Sequence, residues 1–329
     1  MFYAGIRKED WHRSLEKLLT TYDIFVPVKD EFSLDYEPFR PGQADRIAYN
    51  TPKPATPLKN FFLPVRENVT SARAGSKPRI IIGVPNCDIE ALMLLDEIYL
   101  DEVFADPWYR SRRDSTILVA SDCYTVDDHC HCLSYGVKPW SMAHADMAIL
   151  AEGDQIFLRV MSETGKEIAE QLTDIYSVDD AAAVSFAEQR HSETEELLTA
   201  LNAGLPDYTT TGEIIQKAGD QIWEKYAAKC VSCGACTTIC PTCSCFLLID
   251  KPDFEKVKQM DACQYPGFER VAGGEDALFE LHRRFRNRYM CKYVWRPQQF
   301  NSLACTGCGR CIEACIGKIN KNELFMELT

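Results

Sequence analysis

The chain has 329 residues, 46% hydrophobic and 26% charged, the composition of a globular protein large enough for more than one core. Its 49 acidic residues outnumber its 36 Lys and Arg, and a net charge of −13 excludes nucleic acid as an expected partner. No apolar stretch is long enough to span a bilayer, and the start, Met1-Phe2-Tyr3 followed by Lys8-Glu9-Asp10, lacks the basic and apolar regions of a signal peptide, so a cytoplasmic location is expected.

Residues 8–19 set Trp11, Leu15, Leu18 and Leu19 on one helical stripe. Residues 23–28 read as a strand, and 51–64, with Pro52, Pro54, Pro57 and Pro64, as an extended loop. Arg79–Val84 reads as a buried strand, Asp88–Tyr99 as a helix and Thr116–Ala120 as another strand. This β-α-β order predicts a small parallel unit in an α/β layer. Met147–Leu150 and Gln155–Val160, on either side of Glu152-Gly153-Asp154, predict a hairpin. Residues 163–172, 178–202 and 212–229 read as helices, the last leading into Cys230. The expected N-terminal domain, residues 1–225, is therefore α/β (or α+β). No Gly-x-Gly-x-x-Gly follows a strand and no Walker A run is present, so the chain is not expected to bind FAD or NAD itself.

Sixteen cysteines stand out. Disulfide scaffolds are usually short and secreted, whereas clustered cysteines in a long chain without a signal peptide point to metal. Cys230-x2-Cys233-x2-Cys236-x3-Cys240 and Cys305-x2-Cys308-x2-Cys311-x3-Cys315 share the spacing of the bacterial ferredoxin run for a 4Fe–4S cube. Three thiolates on a tight loop can each reach one iron corner, while the fourth opens a helix pointing away and ligates the other cube. Cys230, Cys233, Cys236 and Cys315 are thus assigned to one cube, and Cys305, Cys308, Cys311 and Cys240 to the other. Gly234 and Gly309 follow the second cysteine of each run, where glycine lets backbone N–H groups approach sulfur. A pair of four-cysteine zinc sites is the alternative, but zinc modules pair Cys-x2-Cys elements and do not need this run twice. Residues 226–329 are therefore expected to form a bacterial-type ferredoxin-like domain with two 4Fe–4S clusters and a long insertion at about 241–304.

Cys87 and Cys123 end the strands RIIIGV and TILVA, and Cys130-His131-Cys132 follows. Adjacent parallel strands bring their C-terminal ends together, where α/β sheets build sites. These four thiols are expected to hold a third 4Fe–4S cluster, with a zinc ion as the runner-up and unligated buried thiols as the remaining alternative. His129 and His131 read as solvated loop residues. Cys243, Cys245 and Cys263 lack a fourth thiol unless Cys291 joins them; a fourth cluster is then the alternative, and packing or a supporting role the simpler expectation, with Cys291 read as a small apolar residue. The basic segment His282–Tyr289 reads as a solvated helix face, a docking edge, or counter-charge for the anionic clusters.

At these residues the chain resembles the family that unites the β subunit of soluble sulfhydrogenases with the corresponding iron–sulfur subunit of anaerobic sulfite reductase. The resemblance runs over most of the chain. Its sharpest parts are Cys230–Cys245, Cys263-Gln-Tyr-Pro-Gly-Phe268, Ala272-Gly-Gly274, Arg284–Tyr289 and Cys305–Cys311, with Gly83–Asp88, Arg112-Arg113, Cys123 and Cys130-His-Cys132 in the N-terminal half. Cys87, Cys243, Cys245 and Cys263 thus sit at motif positions. The chain departs at Pro85-Asn86, where the family has an arginine before proline, at Ile316, and at Cys291, where the family often has histidine. The resemblance implies an electron-relay subunit with no catalytic residue of its own, inside an anaerobic oxidoreductase complex. Its implied neighbours are a flavin- and 2Fe–2S-containing NAD(P)H-oxidoreductase subunit and a terminal redox subunit of hydrogenase, sulfite reductase or heterodisulfide-reductase type. The rival expectations are a freely diffusing ferredoxin-like carrier, which has no use for the large N-terminal domain, and substrate chemistry at an N-terminal cluster.

Overall fold

The computed structural model of the chain describes residues 1–70 and 77–329. It opens with β1 (Phe2–Arg7), α1 (Lys8–Leu18), β2 (Asp23–Lys29), β3 (Leu34–Pro38) and the short β4 (Arg66–Asn68). There follow β5 (Arg79–Val84), α2 (Asn86–Tyr99), α3 (Pro107–Asp114), β6 (Thr116–Ser121), β7 (Met147–Glu152), β8 (Gln155–Val160), α4 (Glu163–Ala169), β9 (Tyr176–Ser177) and α5 (Asp180–Leu201). β2, β5, β6 and β7 run parallel at the centre of a sheet of order β3-β2-β5-β6-β7-β8-β1-β9, with antiparallel strands at both edges.

The apolar run of β5 is explained by burial on both faces. Ile80 and Ile82 pack with Trp11, Leu15 and Leu18 of α1. Ile81 packs on the other side with Ile89, Leu92 and Leu95 of α2. A register break between Ile82 and Val84 turns Val84 to that second face. The expected α/β layer and the β7–β8 hairpin are present. The proline-rich stretch is not simply extended: Leu58–Phe61 forms a 3-10 turn, and Leu58, Phe62 and Leu63 enter the core beside α2, because apolar burial there outweighs the extended preference of the prolines.

The expected helix over 212–229 is two, α6 (Thr211–Lys217) and α7 (Asp220–Ala227). Gly219 is extended and caps α7, as the helix-interior cost of glycine favours. Next come α8 (Ala235–Thr238), β10 (Phe246–Asp250), β11 (Lys256–Met260) and α9 (Leu281–Met290), then a π-helical turn at Cys291–Trp295, α10 (Arg296–Phe300), α11 (Arg310–Glu313) and α12 (Lys321–Leu328). Tyr208, Ile215, Trp223, Phe285, Tyr289, Tyr293 and Phe325 form a mainly aromatic core for this half. The β10–β11 hairpin, inside the stretch between the two cysteine runs, pairs with β4 from the other half to make a small sheet. No helix among the described residues is long and apolar enough to cross a membrane.

Candidate metal centres

The two cysteine runs fold alike. Each turns at a glycine in the left-handed region, Gly234 (φ 71°) and Gly309 (φ 79°), which caps the one-turn helix α8 or α11. Residues with a side chain disfavour this conformation, so the glycine after the second cysteine is a backbone requirement. Backbone amides then face sulfur: Ser232 N–H donates to Cys230 Sγ at 3.4 Å and Ile319 N–H to Cys315 Sγ at 3.3 Å.

Three small cavities lie among the thiols. The first is lined by Cys230, Cys233, Cys236 and Cys315, together with Cys311, Arg288, Tyr289 and Lys321. The second is lined by Cys240, Cys305, Cys308 and Cys311 with Lys292, Tyr293 and Lys321. Cys315 therefore lies with the first run and Cys240 with the second. The third is lined by Cys87, Cys123, Cys130 and Cys132, with Gly307 and Cys308 closing one side. Cys311 borders the first and second cavities and Cys308 the second and third, so the three sit in file with the second in the middle.

The third cavity joins the two halves. Cys87 lies in the first turn of α2, beyond the end of β5 at Val84 where it was expected, and Cys123 follows β6. His131 N–H donates to Gly307 O at 2.9 Å, laying the Cys130–Cys132 loop directly on the second run. A Cβ at Gly307 would collide with the carbonyl of His131 and with Cys132. His131 is not a solvated loop residue: it is buried, its Nδ1 lies 2.6 Å from His129 O, and burial holds its imidazole well below the usual range, hence neutral.

Each cavity offers at least four sulfur donors. Buried cations lie beside them. Lys292 Nζ donates to Cys240 Sγ at 3.2 Å, Thr242 Oγ1 at 2.7 Å and Ala304 O at 2.8 Å. Lys321 Nζ donates to Tyr135 Oη at 2.7 Å, Tyr293 Oη at 3.3 Å and Cys305 Sγ at 3.6 Å. Arg288 donates to Cys236 O at 3.2 Å, and its Nε has no partner. None of the three forms an ion pair with a carboxylate among the described residues, although all three are buried. A buried cation without an anion costs several kcal/mol, and the anionic groups within reach of these three are the cysteine sulfurs of the neighbouring cavities. The Lys292 ammonium illustrates the balance: burial opposes its charge, but the Cys240 and Cys243 sulfurs overcome this and hold it well above the usual lysine range. Arg288 is likewise held up by Cys236 and Cys311 against burial.

The third site is charged differently. Burial drives the thiols of Cys87 and Cys123 well above the usual range, and Asp88 adds to this at Cys87. Lys53 Nζ reaches Cys130 Sγ at 3.8 Å but is already paired with Asp127 at 2.6 Å and Glu313 at 2.8 Å. Asp88 in turn is held by Arg310 through both carboxylate oxygens.

Cys243, Cys245 and Cys263 line none of the three cavities. Cys243 pairs with Cys240, and Cys245 pairs with Cys263, with Cys291 nearby; that second contact lowers the Cys263 thiol and raises that of Cys245. Thr237 Oγ1 lies 4.0 Å from Cys236 Sγ and 3.8 Å from Cys263 Sγ, linking this pair to the first cavity. Arg284 and Arg288 of the basic segment are buried, so the segment is not a solvated face: Arg284 donates to Leu278 O and Phe279 O, and Arg288 to Cys236 O. Lys53, Lys59, Lys292 and Lys321 were not legible as site residues, since their sulfur or carbonyl partners are far away in sequence. Arg112 and Arg113 are clamps, on Glu67 and Asp96.

Two comparisons with known proteins bear on the chain. Residues 229–319 match the family described as a 4Fe–4S dicluster domain. The whole chain is 29% identical, over 343 aligned positions covering 98% of the relative, to sulfhydrogenase 2 subunit beta of Pyrococcus furiosus. The chain thus carries a C-terminal 4Fe–4S dicluster domain and is similar along its full length to the beta subunit of a sulfhydrogenase.

Proposed function

We propose that the chain is the electron-relay subunit of a sulfhydrogenase-like oxidoreductase complex, holding three 4Fe–4S cubes in file. The observation that carries this is the row of three four-thiol cavities, each sharing a bordering cysteine with the next. When bound, each cube takes and gives one electron. Cys230, Cys233, Cys236 and Cys315 would hold the first, Cys240, Cys305, Cys308 and Cys311 the second, and Cys87, Cys123, Cys130 and Cys132 the third. The remaining work of the chain is to hold these thiolates, exclude water with Tyr289 and Tyr293, and supply counter-charge through Arg288, Lys292 and Lys321. No general acid, base or nucleophile is needed. The partners we propose are a flavin- and 2Fe–2S-containing NAD(P)H-handling subunit and a terminal redox subunit, in the cytoplasm of an anaerobic cell, and the chain itself binds neither FAD nor NAD. The reading favours a fixed subunit over a diffusing carrier because the third site is built jointly by both halves.

The test is iron, acid-labile sulfide and zinc per chain, on protein purified without oxygen. About twelve irons and no zinc are expected for three cubes. About eight irons with one zinc would make the N-terminal site a structural clasp, and a loss of both iron and sulfide from the C-terminal half would overturn the relay.

A further inference from the structure

The middle cavity differs from its neighbours in one respect that bears on where an electron rests. Two of its four sulfurs receive a hydrogen bond from a buried ammonium: Cys240 from Lys292 at 3.2 Å and Cys305 from Lys321 at 3.6 Å. Neither ammonium has a carboxylate among the described residues, and each is held by neutral oxygens, of Thr242 and Ala304 in one case and of Tyr135 and Tyr293 in the other. Both lysines are 3% exposed, so solvent does little to screen them.

Lys321 borders the first cavity as well, but among the described residues its sulfur contact is with Cys305, and no ammonium donates to Cys230, Cys233, Cys236 or Cys315. Cys230 and Cys315 are approached by neutral backbone amides. Arg288 spends its hydrogen bond on the Cys236 carbonyl and borders the first and second cavities alike, so it does not favour one over the other. At the third cavity Lys53 is already matched by Asp127 and Glu313.

Reduction adds one negative charge to a group that is already anionic. Burial alone disfavours that, and Cys240 and Cys308 are among the buried thiols. The same low dielectric strengthens attraction to a fixed cation. With two unneutralised ammonium groups in contact with its sulfurs, the middle site is the one where attraction prevails.

We propose that Lys292 and Lys321 make the middle site the highest-potential site of the dicluster domain, so that an electron crossing the chain is held there between its two outer transfers. The proposal rests on the relay reading above. It makes the chain a one-electron store as well as a conductor, and it assigns the store to two lysines that ligate nothing.

The experiment is a redox titration of the full chain, purified without oxygen and followed by paramagnetic resonance. Cys308→Ser marks the signal of the middle site, and Cys233→Ser that of the first. The middle signal is expected to appear at the higher potential. Lys292→Gln and Lys321→Gln should each make the middle site at least tenfold harder to reduce, a shift of about 59 mV for one electron, while the first site moves less. Lys321→Arg, which keeps the cation, should retain the potential. If Lys292→Gln does not fold, Lys321→Gln and Lys321→Arg carry the comparison alone. A middle signal at or below the first, or variants that shift both sites equally, would overturn the proposal while leaving the relay intact. Absence of two cubes in the unaltered chain would instead remove the relay and this inference with it.

Discussion

A single ion pair does much to hold the two halves together. Arg310, beside Cys311, grips Asp88, beside Cys87, through both carboxylate oxygens, and its Nε also donates to Pro54 O at 2.9 Å. Both side chains are buried to 1% exposure. Removing one partner strands the other charge, at a cost of about 3–5 kcal/mol, whereas replacing both with apolar side chains costs far less. Arg310→Met is therefore expected to lower the urea midpoint sharply, and Asp88→Leu combined with Arg310→Met to recover most of the loss. A single-variant loss below about 1 kcal/mol would show the pair to be solvated. At this scale the cysteines were legible and their counter-ions were not. Metal-ligand spacing is local, within eleven residues, but Arg310 and Asp88 are 222 positions apart and Lys292 and Cys240 are 52 apart. No local pattern distinguishes such a cation from a surface one.

Loops and turns carry the next level of organisation. The Cys130–Cys132 loop lies on the second cysteine run because Gly307, at φ 66°, leaves room for it. Gly307→Ala would impose a left-handed conformation worth about 1–2 kcal/mol and a collision with the His131 carbonyl. The third site should give way first. Iron content is expected to fall by about four per chain while the paramagnetic signal of the first site persists; equal loss from all sites would refute this. The π-helical turn at Cys291–Trp295 has a similar role. Its wider turn buries Lys292, Tyr293 and Val294 in succession, placing the ammonium at Cys240 and the ring against the middle cavity. The parallel strands were legible because burial on both faces leaves a continuous apolar run, as in Arg79–Val84. The π turn was not, since its residues differ from those of an ordinary helix only in the extra hydrogen-bonding step, and neither was three-residue β4, too short to show a period.

For the molecule as a whole, the relay reading makes the clusters structural counter-ions as much as electron carriers. Stripping iron under reducing conditions would leave Lys292, Lys321 and Arg288 buried without an anion, each at a cost of several kcal/mol. The C-terminal half should loosen while the eight-stranded sheet, whose two cores contain none of these cations, persists. Limited proteolysis of the iron-free chain is expected to cut within residues 229–319 and spare the segment before α5; equal resistance with and without iron would show the cations to be otherwise satisfied. The division of the chain into an α/β part and a dicluster part was legible from where the cysteine runs begin. What joins the parts was not, because it is made of contacts between positions remote in sequence.

The small sheet β10-β11-β4 has a consequence for modularity. The hairpin that separates the two cysteine runs does not close on itself: β11 is completed by Arg66, Glu67 and Asn68. Excised alone, the dicluster portion would carry a raw strand edge, next to a β10 that already exposes Phe246, Leu247 and Leu248. Such a fragment would be prone to self-association. The chain is therefore not a portable ferredoxin with an appended domain, and a graft of its cysteine runs onto another scaffold would have to bring a substitute for β4.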